Sequence, residues 1–95
     1  MKEVKFKPSA LLDFQEIFDF IALDDADMAL NFIKRLESRC NDLAQFPAVG
    51  RKRGRFRSVT EGEYVIFYQI VDKDDSVEIL HIRHGKRDLR RLLDT

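Results

Sequence analysis

The chain has 95 residues, 44% hydrophobic and 36% charged, with eight Phe and a single Cys, a composition too apolar for a disordered chain and large enough for one core, so a single domain over residues 1–95 is expected. No apolar run approaches the roughly 20 residues of a membrane span, the N-terminus lacks the apolar region of a signal peptide, and one cysteine allows no intrachain disulfide or thiolate zinc site; a cytoplasmic protein with no membrane association, metal or cofactor is the expectation. Net charge is zero overall but divided: residues 1–48 carry 6 Lys+Arg against 9 Asp+Glu and residues 49–95 carry 11 against 8, a polarity that suits an anionic or acidic partner for the second half.

Residues 2–7 alternate Val4 and Phe6 with Lys5 and Lys7, the pattern of a short strand that Pro8 ends. Ser9 is placed to cap a first helix over residues 10–23, in which Leu11, Phe14, Ile17, Phe18 and Ile21 recur at intervals of three and four. Asp24, Asp25 and Asp27 then set negative charge at the start of a second helix, where the helix dipole favours it. That helix begins near Ala26 and carries a stripe of Ala29, Phe32, Ile33, Leu36, Cys40, Leu43 and Phe46 until Pro47 stops it. The short link makes the pair an antiparallel hairpin. After the basic stretch Arg51-Lys52-Arg53-Gly54 the period becomes two, and residues 55–59, 64–71 and 77–84 read as three strands of an antiparallel meander. The run from Tyr64 to Val71 is apolar on both faces and is expected at the centre, with the hairpin covering one face. Leu89, Leu92 and Leu93 suggest a short terminal helix over residues 88–93. The fold class is therefore α+β: a short N-terminal strand and a helical hairpin packed on a C-terminal antiparallel sheet.

Three words in the chain narrow this further. Phe46-Pro47-Ala48-Val49-Gly50-Arg51 at a helix end, Arg57-Ser58-Val59 leading into Tyr64-Val65-Ile66-Phe67-Tyr68, and Ile79-Leu80-His81-Ile82-Arg83-His84-Gly85-Lys86-Arg87-Asp88 together resemble, in order and over nearly the whole chain, the ParE-like branch of the RelE/ParE superfamily, the toxins of type II toxin–antitoxin and plasmid stabilisation systems. The resemblance implies a cytoplasmic toxin neutralised by a cognate, ParD-like antitoxin, and, for the ParE branch, inhibition of DNA gyrase by binding. An alternative is a RelE-like ribosome-dependent mRNA endonuclease, and a second is a non-toxic binding module of the same fold. No aromatic residue follows Tyr68, whereas several RelE-type nucleases place a tyrosine near the C-terminus, which favours the non-enzymatic reading.

The candidate surface for target or antitoxin is Arg51, Lys52, Arg53, Arg55 and Arg57, with Arg83, Lys86 and Arg87 at the other end of the meander, because guanidinium forks suit carboxylates and phosphates. If the chain is a nuclease, Arg57, Arg83, His84 and Arg87 would stabilise the phosphorane and move protons. Weighed against this are a solvated basic rim, structural members among Arg57 and Arg87 paired with Asp88 or Glu63, a His84 that merely caps a strand end, and a His81 that packs. Tyr64 and Tyr68 are included as candidate binding residues, although core packing is their ordinary explanation.

Overall fold

A computed structural model describes residues 2–86. It contains β1 (Glu3–Phe6), α1 (Pro8–Ala22), α2 (Ala26–Asp42), β2 (Arg51–Arg53), β3 (Phe56–Glu61), β4 (Tyr64–Val71) and β5 (Ser76–His84). The strands form one sheet in the order β1-β5-β4-β3-β2. β1 lies parallel to β5 while every other pair is antiparallel. This is the expected α+β architecture with β4 at its centre. The expected terminal helix over residues 88–93 lies outside the described residues.

Two tight hairpins build the antiparallel part. Arg53 pairs with Phe56 and Glu61 with Tyr64, leaving the two-residue loops Gly54-Arg55 and Gly62-Glu63. Both glycines take φ near +60°, which side-chain-bearing residues avoid, and two-residue hairpin loops use that conformation. Tyr64, Ile66 and Tyr68 point toward the helices and join Val59, Val77, Ile79 and Ile82 in one core with Ile17, Leu36, Cys40 and Leu43. Each fully buried aliphatic side chain of this kind stabilises the fold by about 1.5–3 kcal/mol relative to exposure.

β1 ends opposite Ile79, so among the described residues the outer edge of β5 beyond that point has no strand beside it. α1 satisfies it with side chains. The Ser9 hydroxyl donates to the Leu80 carbonyl at 2.7 Å, and the Asp13 carboxylate accepts from the Ile82 backbone N–H at 2.9 Å. Side chains of the helix thus continue the ladder, which removes an exposed edge of the kind that invites mispairing.

Several local expectations are corrected. The helix starts at Pro8, with Lys7 as its cap residue and no side-chain cap; proline's fixed φ suits the first helical position, and Ser9 is spent on β5 instead. Asp25, by contrast, caps α2 by accepting from Met28 N–H at 3.0 Å. The line of α1 that meets the sheet is Ala10, Asp13 and Ile17, so Leu11 is 55% exposed, and Phe46, beyond the end of α2, is 64% exposed. Finally, Arg51–Arg53 is a strand, not a loop. Its all-cationic sequence hides it, and pairing to β3 across Gly54 creates it.

Candidate functional site

The cationic hairpin β2–β3 stands on a small buried scaffold. Tyr68, 0% exposed, donates its phenolic O–H to the Pro47 carbonyl at 2.7 Å and accepts from the Gly50 N–H at 2.9 Å. A Cβ on Gly50 would overlap that ring and hydroxyl, so glycine is needed there for close approach. Arg57, which faces the helices beside Tyr68, donates Nη1 to the Ala48 and Gly50 carbonyls at 3.2 and 3.0 Å. Residues 47–50 are therefore tied down from both β3 and β4 immediately before β2. Arg57 is structural, and among the described residues its partners are backbone carbonyls and not Glu63, while Asp88 lies outside the described residues. Tyr68 is committed to the interior and presents no face to a ligand.

Beyond this scaffold, Arg51, Lys52, Arg53 and Arg55 are all exposed, and among the described residues they make no ion pair. The basic residues in and beside β1, and Arg35 of α2, contrast with them. Lys2 pairs with Asp75 at 3.0 Å, Lys5 with Asp74 at 3.9 Å, Lys7 with Glu78 at 3.8 Å, and Arg35 with Glu61 at 2.8 Å. The Asp75 partnership raises the Lys2 ammonium above its ordinary pKa. Among the described residues, the largest run of cations without ion pairs is thus at the β2–β3 hairpin, where it sets a positive field for an approaching partner.

The two basic groups read from the sequence do not converge. Register places Arg57 opposite Tyr68 and His84 opposite Tyr64, four residues apart along β4, or roughly 13 Å at 3.3 Å per residue. β3 and β5 also flank β4 on opposite sides. Arg83 pairs with Val65 and so takes the sheet face away from the helices, whereas His84 takes the helix face. Arg57, Arg83 and His84 therefore form no common catalytic centre. Lys86 is exposed at the end of the described chain, and Arg87 lies outside it. His84 Nε2 sits 3.2 Å from Glu63 Oε2, and its ring stands edge-on to Tyr64 at 5.3 Å. Tyr64 is 7% exposed and packs on Phe32. Phe20, Met28, Phe32, Tyr64 and His84 line a cleft of about 480 Å³ between the hairpin tip and the β3–β4 turn.

Two features escaped the sequence reading. Most of the large exposed apolar side chains, including Leu11, Leu12, Phe20, Leu23, Met28 and Leu30, lie on the helical hairpin or its tip, an apolar exposure of the kind that marks an interaction surface. The other is the buried carboxylate of Asp13, 6% exposed, with His81 Nδ1 at 3.0 Å and Arg83 Nη1 at 3.9 Å. The signal for it was present, since Asp13 interrupts the apolar line Ala10, Ile17 at helical spacing. Among the described residues there is no cluster of His, Cys, Asp or Glu fit to hold a metal and no helix long and apolar enough to cross a membrane.

Comparison with known proteins places this geometry. Residues 4–89 match the family model described as the ParE toxin of the parDE type II toxin–antitoxin system. A Sinorhizobium fredii protein named as a toxin, Y4kP, is 32% identical over 97 residues, covering 97% of both chains. Among solved structures, a chain of the chromosomal ParDE system of P. aeruginosa superposes with TM-score 0.77 at 18% identity, covering 90% of this chain and 98% of that one. A chain of the intact E. coli RelBE toxin–antitoxin complex does so with TM-score 0.67 at 14% identity, covering 92% and 100%. At these identities the structures show a shared fold.

Proposed function

The chain belongs to the ParE toxin family of type II toxin–antitoxin systems, and on that premise we propose that it acts by binding, without chemistry of its own, with DNA gyrase as its target and a ParD-like antitoxin as its neutraliser. The observation that carries this reading is the β2–β3 hairpin. Arg51, Lys52, Arg53 and Arg55 are exposed cations without ion pairs among the described residues, mounted on the Tyr68–Arg57 scaffold. A preorganised positive surface favours acidic partners and fast, steered association. The scattering of Arg57, Arg83 and His84 over two faces speaks against the nuclease alternative.

On this reading the antitoxin crosses the sheet face that carries Val65 and Phe67, with its acidic residues toward the charges of β2–β3. The exposed leucines of the helical hairpin lie on the opposite side of the sheet, so apolar anchors that reach them require the antitoxin to wrap round the β5 edge from one face to the other. Induced expression in a bacterial host tests the pairing. Growth should stop on induction and resume when the product of the adjacent reading frame is co-expressed. Undisturbed growth with soluble, folded protein would leave only the non-toxic binding module.

A further inference from the structure

The strongest unassigned feature is the group formed by Asp13, His81 and Arg83 at the edge of β5 that α1 covers. His81 and Arg83 pair across with Phe67 and Val65 and therefore share the sheet face away from the helices, while Asp13 reaches them from α1 around the strand edge. His81 and Arg83 are half-exposed, with side-chain exposures of 41% and 42%, against 7% for the Asp13 side chain.

The hydrogen positions follow from the partners. His81 Nδ1 lies 3.0 Å from Asp13 Oδ2 and 3.2 Å from Arg83 Nη2. One ring nitrogen cannot both donate to a carboxylate and accept from a guanidinium. A carboxylate only accepts, so Nδ1 carries the hydrogen and donates to Asp13, which the Ile82 N–H also fixes in place. Arg83 Nη2 is then left without its neighbouring acceptor. The guanidinium is held near Asp13 by charge at 3.9 Å, and its Nη2 and Nε donors have no acceptor among the described residues, leaving them as a fork.

We infer that Arg83, positioned by Asp13 and His81, is a preset anchor for one carboxylate side chain of the antitoxin. The inference deepens the binding reading above and rests on it. A fork of two parallel N–H donors matches a carboxylate. The group's own charge favours a single carboxylate over a nucleic acid: Asp13 offsets Arg83, whereas phosphate backbones are bound by uncompensated positive charge. The anchor also sits at the corner where the apolar helical face meets the open sheet face. Asp13 and His81 are positioning residues in this scheme, and Arg83 makes the contact.

The test uses the full-length toxin and the purified product of the adjacent reading frame, with association and dissociation rates measured separately. Arg83→Ala should weaken the complex by about 10- to 100-fold, mainly through faster dissociation, and Arg83→Lys should not restore it, because an ammonium offers no fork. Asp13→Asn keeps an oxygen for the Ile82 N–H but removes the anion. Association should hold or quicken while dissociation accelerates, a split that general loosening of the fold would not give. Replacing each partner Asp and Glu by its amide should reveal one carboxylate whose effect disappears in the Arg83→Ala background. If the wild-type toxin binds yet all variants stay within twofold, or no partner carboxylate couples to Arg83, the anchor is refuted and the binding reading stands. If instead Arg83→Ala abolishes binding to a single-stranded RNA oligonucleotide, the carboxylate assignment is overturned. Failure of the wild-type pair to bind would remove the antitoxin reading itself.

Discussion

Removing one oxygen atom should test how the cationic hairpin is held. In Tyr68→Phe the buried Gly50 N–H and the Pro47 carbonyl both lose their partner, at 2.9 and 2.7 Å respectively. Each hydrogen bond is worth about 1 kcal/mol net, and a buried donor left unpaired adds its desolvation penalty, so a loss of about 2–3 kcal/mol is expected. For a chain of this size each kcal/mol moves Tm by roughly 4–8 °C, giving a fall of about 10–20 °C. Thermal and urea unfolding followed by circular dichroism would measure it, with the urea slope unchanged if the variant still unfolds in two states. Because residues 47–50 set the start of β2, amide exchange over residues 50–53 should also speed up more than exchange in α2. A stability loss below about 0.5 kcal/mol, or loosening spread evenly over the chain, would refute the scaffold argument.

Reversing charge with Arg51→Glu and Arg53→Glu should leave stability within about 0.5 kcal/mol while slowing association with the antitoxin by about tenfold, and the deficit should shrink as salt rises; stopped-flow mixing across a salt series reads this. Burial pushes the Cys40 thiol up to about 12, so a thiol reagent at pH 8 should label it only when urea opens the fold. That raised value also means the unfolded chain releases the proton first. The associated stability is present below the thiol's ordinary pKa near 9 and should be lost as pH climbs toward 12, measurable by urea midpoints from pH 8 to 11. His84→Ala removes an edge-on ring contact with Tyr64, should cost about 1 kcal/mol, and should leave toxicity intact in a growth assay. Toxicity lost with folding preserved would support the nuclease alternative.

The parts of the fold legible in the sequence are those set by long apolar periodicity. Tyr64–Val71 announced a central strand because eight residues there are nearly all apolar, whereas the second helix stops at Asp42, short of the end that Pro47 suggested. What stayed hidden depends on pairing across the chain. Arg51–Arg53 has no apolar alternation and becomes a strand only because β3 returns beside it. Ser9 reads as a helix cap in isolation, yet the unpaired Leu80 carbonyl claims its hydroxyl. The site divides the same way. The cations of residues 51–55 were visible as a cluster, but their lack of ion pairs among the described residues depends on where the chain carries its carboxylates. Tyr68 and Arg57 looked like binding residues because phenols and guanidiniums recognise ligands; here their ligand is the chain's own loop. Asp13 and His81 are separated by 68 residues, and only the path of α1 along the β5 edge brings them together.

On the function proposed above, this toxin acts by binding and not by cutting RNA. The most direct test places the purified toxin in two parallel assays, supercoiling by DNA gyrase and cleavage of mRNA on translating ribosomes, each with and without the antitoxin. The account predicts that supercoiling is inhibited and then restored by the antitoxin, while the mRNA stays intact. Ribosome-dependent cleavage with gyrase unaffected would contradict it.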